Sequence, residues 1–84
     1  MMNDVVQPWV EDRLRDQATL QVGPLSLRVQ WSGADKGYRS IVFGHQLHLK
    51  FPDMPSAKLY AMSVAHGELA RALRELAEVM NHKE

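Results

Sequence analysis

The sequence predicts one small α+β domain in the order α-β-β-β-α. A three-stranded antiparallel meander would carry a long C-terminal helix on its apolar face. Three observations lead there. Apolar residues recur every four positions up to residue 18, every two from residue 25, and at alternating intervals of three and four after residue 58. Glycine-containing turn signals divide the middle segment. The strand registers set by those turns gather nearly all the large apolar residues on one sheet face.

Residues 1–7 read as a flexible N-terminal arm and residues 8–82 as the single domain. Pro8 suits the first position of a helix, and Glu11 and Asp12 suit its first turn. Val6, Val10, Leu14 and Ala18 form one stripe beside Trp9, with Glu11, Asp12, Arg15 and Asp16 opposite. That is the pattern of a short amphipathic helix.

In the middle segment, Leu25, Leu27, Val29 and Trp31 alternate with Ser26, Arg28 and Gln30, as in a half-buried strand. Leu20 and Val22 have the opposite phase, and Gly23-Pro24 lies between, so a kink, a bulge or a separate lead-in strand is expected there. Ser32 to Gly37 reads as a hairpin loop, and Tyr38 to Phe43 as the second strand. A two-residue turn at Gly44-His45 pairs Phe43 with Gln46, Val42 with Leu47, Ser40 with Leu49 and Tyr38 with Phe51. Trp31 opposite Tyr38 brings the first strand onto the same face.

Pro52 ends the third strand. Asp53 or Ser56 caps the final helix, with Pro55 in its first turn. Leu59, Met62, His66, Leu69, Leu73, Leu76 and Met80 then form a heptad-like seam flanked by Ala65, Ala70, Ala72 and Ala77. The seam is expected to face the sheet. Gly67 leaves open whether the helix breaks at His66-Gly67, and the pattern also leaves open which sheet face the first helix covers. The α-β-β-β-α order is similar to that of double-stranded-RNA-binding domains in topology alone. Pro55 to Ala61 carries one lysine, Lys58, where those domains have a lysine cluster.

Composition narrows the function. The 84 residues, at 9.6 kDa, make one domain, and 45% hydrophobic with 24% charged residues is a globular balance. The absence of cysteine excludes disulfide scaffolds, thiolate metal sites and cysteine catalysis. No apolar run is long enough to span a membrane, and the N-terminus lacks a signal-peptide pattern, so a cytoplasmic protein is expected. No serine has a Gly-x-Ser-x-Gly context, no glycine-rich phosphate loop appears, and His45 and His48 have no third ligand. The expectation is therefore a non-enzyme without metal or cofactor.

The formal net charge of zero hides a partition: residues 1–16 carry −2, residues 17–52 carry +3 and residues 53–84 carry −1. The open sheet face is expected to show Ser26, Arg28, Gln30, Arg39, Ile41, Phe43, Gln46, His48 and Lys50, with three fixed cations and no acid. Arg28, Gln30, Arg39, Ile41, Phe43, His48 and Lys50 are the candidate partner-binding residues. The first reading is a protein-binding module, such as a phage or mobile-element inhibitor of the anti-CRISPR kind, that blocks a larger host partner. The alternative is a nucleic-acid-binding domain using the same face. A second alternative is an oligomeric structural subunit, a homodimer for instance, joined through Tyr60, Val64 and His66 of the last helix. A histidine in such a seam could make assembly pH-sensitive.

Overall fold

A computed structural model describes residues 9–82. The expected N-terminal arm, residues 1–7, lies outside them. The described residues form five strands, not the expected three, and one helix: β1 (Val10–Asp12), β2 (Gln17–Val22), β3 (Leu25–Ser32), β4 (Gly37–Val42), β5 (His45–Phe51) and α1 (Met54–Asn81). The strands make one antiparallel meander in the order β1-β2-β3-β4-β5. The α+β class stands, but the order is β-β-β-β-β-α, so the topological likeness to double-stranded-RNA-binding domains lapses.

The expected first helix is a β-hairpin. Asp12 accepts backbone N–H bonds from Leu14 at 3.1 Å and Arg15 at 3.3 Å, and Asp16 takes a left-handed φ of 51°. These local bonds close a four-residue loop between Asp12 and Gln17, which pair across it. Among the described residues the expected apolar stripe does not form: Leu14 is 99% exposed at the loop tip, whereas Ala18 is buried in β2.

The opposite phases of Leu20 and Leu27 follow from the next turn. Gly23, at φ 58°, and Pro24 form a two-residue connection, and Val22 pairs with Leu25, Leu20 with Leu27 and Ala18 with Val29. A two-residue turn joins even positions on one strand to odd positions on the next, so both sets share a face. Trp31 pairs with Tyr38, and Tyr38 with Phe51, as the sequence indicates.

The last hairpin differs near its turn. Phe43 (φ 52°) and Gly44 (φ 87°) are its two central residues, and Val42 pairs with His45 and Ile41 with Gln46. The register then shifts, so that Arg39 pairs with Lys50. β5 therefore holds two more residues than β4 across this irregularity. An even insertion preserves the alternation of faces. The Arg39 guanidinium donates to the carbonyls of Leu47 at 3.0 Å and His48 at 2.8 Å.

Asp53 caps α1, its carboxylate accepting from the Ser56 N–H at 2.8 Å; this hydrogen bond holds the carboxyl below its usual pKa range. The helix runs unbroken through Gly67. At 28 residues it is about 42 Å long, whereas the eight residues of β3 span about 26 Å. It lies over β3 and β4 and touches β5. Its buried residues are Ala57, Ala61 and Ala65, one on each successive turn. The short alanine side chains let the helix backbone approach the sheet closely enough for the buried Ser40 hydroxyl to donate to the Ala57 carbonyl at 2.9 Å. The Leu/Met seam, expected to face the sheet, lies about 110° round the helix from these alanines. Leu59, Met62, Leu73, Leu76 and Met80 are exposed. The core is thin: Trp9, Ala18, Leu20, Leu27, Val29, Val42 and the three alanines, bordered by Tyr38, Phe43, Leu47, Phe51, Met54 and Val64.

Candidate functional site

One sheet face carries α1, and no described element covers the other. The strand registers place the open-face residues in two rows that cross all five strands. The first row is Val10, Thr19, Arg28, Ile41 and Gln46; the second is Asp12, Gln17, Gln30, Arg39 and Lys50. Alternation along β5 sets His48 between Gln46 and Lys50 on the same side. Six of the seven candidate partner-binding residues thus share one surface.

Phe43 does not join them. Its left-handed turn conformation breaks the strand alternation, and the ring packs against the core from the helix side. Ile41, half-buried between Arg28 and Gln46 in the first row, is left as the apolar anchor among the candidates.

The electrostatics also differ from the expectation of three cations and no acid. Asp12 lies on the open face, in the second row. Asp35, in the β3–β4 loop, pairs with Arg39 at 2.8 Å and accepts from Ser32 at 3.0 Å. The bond from Arg39 is the larger cause, and the bond from Ser32 the next, that holds the Asp35 carboxyl below its ordinary range. Lys50 donates to the Asp35 backbone carbonyl at 2.6 Å. Arg39 and Lys50 are therefore held by the fold itself. Arg28 makes a long contact, 3.5 Å, to Gln30. The surface is mixed in charge and fixed by internal bonds rather than broadly basic.

The residues named for oligomerisation scatter. Tyr60 packs on Phe51 with ring centroids 5.2 Å apart, and Val64 borders the core. His66 alone of the three is exposed, within the outward seam.

The periodicity reading did not single out a recess of about 280 Å³ beside the start of the seam, lined by Trp9, Pro55, Lys58, Leu59 and Met62. The Lys58 ammonium lies 5.5 Å from the centroid of the Trp9 ring and 2.6 Å from the Glu11 carboxylate. That hydrogen bond, with the charge of Lys58, lowers the Glu11 pKa. A sequence signal existed in the apolar Leu59 and Met62 one turn beyond Pro55, but Trp9 comes from 46 positions earlier than Pro55.

Among the described residues, no group of three or more His, Cys, Asp or Glu could hold a metal ion, and no helix is long and apolar enough to cross a membrane. Comparison with family models, with curated proteins and with solved structures gives no match.

Proposed function

We propose that the protein is a non-catalytic protein-binding module that covers a surface on a larger partner with its open sheet face. One observation carries this reading. The two five-strand rows form an uncovered face in which Arg39 and Lys50 are already positioned by Asp35 and the β5 carbonyls. Side chains ordered before contact lose little further entropy on binding, which favours a stable docking surface. Ile41 supplies an apolar contact, with Arg28, Gln46 and His48 as its polar neighbours. This composition suits a protein patch of mixed or mildly acidic character. Blocking a host machine, as phage inhibitors of the anti-CRISPR kind do, is the use this reading assigns to so small a module.

Nucleic-acid binding is the weaker alternative, because the anchored Arg39 and Lys50 share their charge with Asp35 and the phosphate footprint shrinks towards Arg28. An amide NMR titration near physiological salt separates the two. A host protein fraction should broaden the Arg28, Ile41 and Lys50 signals, and Ile41→Glu should abolish the effect while the spectrum stays folded. Shifts of the same residues on adding short DNA or RNA would replace the protein reading. Unperturbed sheet signals in both titrations would remove the face as a site.

A further inference from the structure

We infer that two copies of the chain associate through α1, paired antiparallel along the Leu59–Met80 seam, with Met80 of each copy lying at the Trp9 recess of the other. This inference is independent of the sheet-face reading, since the seam and the open face are different surfaces. It starts from the fact that the fold does not cover its own helix. From Arg71 to His82 every residue is exposed, and Leu73, Val79 and Met80 are each about two-thirds exposed or more. The radius of gyration is 15.6 Å, against about 12 Å for a compact chain of this length. A projecting helix of about three turns is marginal in water without packing on its apolar side.

The spacing of the seam identifies its occupant as another helix. Intervals of three and four, repeated from Leu59 to Met80, are the knobs-into-holes pattern of paired helices, whereas a helix on a sheet needs no such repeat. Beyond the sheet, Ala70, Ala72 and Ala77 flank the seam, so a second backbone can come close and no flanking charge is buried there.

That helix is assigned to a second copy on two grounds. The first is area. Leu59, Met62, Leu73, Leu76 and Met80 expose about 540 Å² per copy, so a two-fold contact removes at most about 1,100 Å², the size of a weak, concentration-dependent interface. The second is that the seam complements itself when reversed. A two-fold axis beside Arg71 sets Leu69 against Leu73, His66 against Leu76 and Met62 against Met80 of the second copy. It also brings Glu68 level with the opposing Arg74. In this register Met80 reaches the recess beside Trp9, Leu59 and Met62, while the two sheets lie at opposite ends without meeting. A parallel pair would instead stack His66 on His66, align Arg74 with Arg74 and leave both recesses empty.

Sedimentation equilibrium from about 5 to 500 µM protein should show a concentration-dependent approach to twice 9.6 kDa, as expected for a small interface. Leu73→Glu should remain monomeric throughout. Its circular dichroism should stay native because Leu73 is exposed in the monomer. Leu14→Glu, at the distant loop tip, should leave association unchanged. Orientation is read by oxidative cross-linking, which is clean because the chain has no cysteine. Met62→Cys mixed with Met80→Cys should give a covalent heterodimer, and neither variant should cross-link alone. A wild-type monomer at every concentration, or a Leu73→Glu protein that still dimerises, overturns the inference. Cross-linking of either variant with itself, or none in the mixture, overturns the antiparallel register.

Discussion

The orientation of α1 makes a sharp prediction for two substitutions, Ala61→Leu and Leu73→Ala. Ala61 has no exposed surface where the helix crosses the sheet. Leucine there places three extra carbons between backbones that already approach closely enough for the Ser40–Ala57 hydrogen bond of 2.9 Å. Overpacking of this kind costs about 1–3 kcal/mol, and a rigid sheet beneath the helix places the cost near 3. For a domain this size that lowers Tm by about 10–20 °C. Leu73, 67% exposed, contributes almost nothing to the monomer, and alanine is the better helix former. Its replacement should change stability by less than about 0.5 kcal/mol. If the Leu/Met seam faced the sheet, Leu73→Ala would cost about 2–5 kcal/mol and Ala61→Leu would be harmless. Urea unfolding followed by far-UV circular dichroism, at low micromolar protein so that self-association does not contribute, reads both values. The domain has only about 5 kcal/mol in total, so Ala61→Val provides a milder step if the leucine variant does not fold. A tolerated Ala61→Val together with a Leu73→Ala loss above 2 kcal/mol would refute the inward alanine face.

Three further outcomes are expected. Tyr38 donates to Asp16 at 2.8 Å, and that bond, then burial, raises the phenol pKa. The stabilisation is fully present below the ordinary tyrosine pKa and is lost as pH rises through the raised value. Tyr38→Phe should therefore cost about 1 kcal/mol at pH 8 and flatten the alkaline limb of urea stability measured to pH 11. Asp35 has a lowered pKa, so its contribution is present above the usual carboxylate range and is lost as pH falls through the lowered value. Asp35→Asn should remove that part of the acid limb and, in amide NMR spectra, loosen the Arg39 and Lys50 environment. Trp9, 7% exposed, closes the core beside Lys58, so Trp9→Ala should lower urea stability by about 3 kcal/mol, and a loss below 1 kcal/mol would contradict its place in the core.

Much of the fold was legible where period and turn chemistry agreed. The Trp31–Tyr38–Phe51 alignment and a final helix capped by Asp53 or Ser56 follow from them, while Gly67 left its continuity open. The N-terminal hairpin was hidden because a four-residue stripe also fits two short strands joined by a loop. The alternation of Ala18 and Leu20 with Gln17, Thr19 and Gln21 was the better signal, and the Asp12-capped loop made it real. The last turn was misplaced by one residue because Phe43 sits at positive φ, a conformation that residue preferences argue against. The helix faces were exchanged because hydrophobicity ranks leucine above alanine, whereas close approach to a sheet favours the smaller side chain. Six of the seven candidate partner-binding residues keep their expected place on the open face, since alternation depends only on strand parity. Phe43 was lost with the turn.

The irregular stretch of β5 has a consequence for solubility. A sheet with free outer strands invites other sheets to add on, and a chain that repeats such additions forms fibres. Here one border is β1, only three residues long. The other is β5, whose ladder is interrupted between the partners of Arg39 and Ile41 and which presents His45, His48 and Lys50 along its length. An arriving strand would find no long straight ladder on either side. Growth in the plane of the sheet is thus discouraged at both borders.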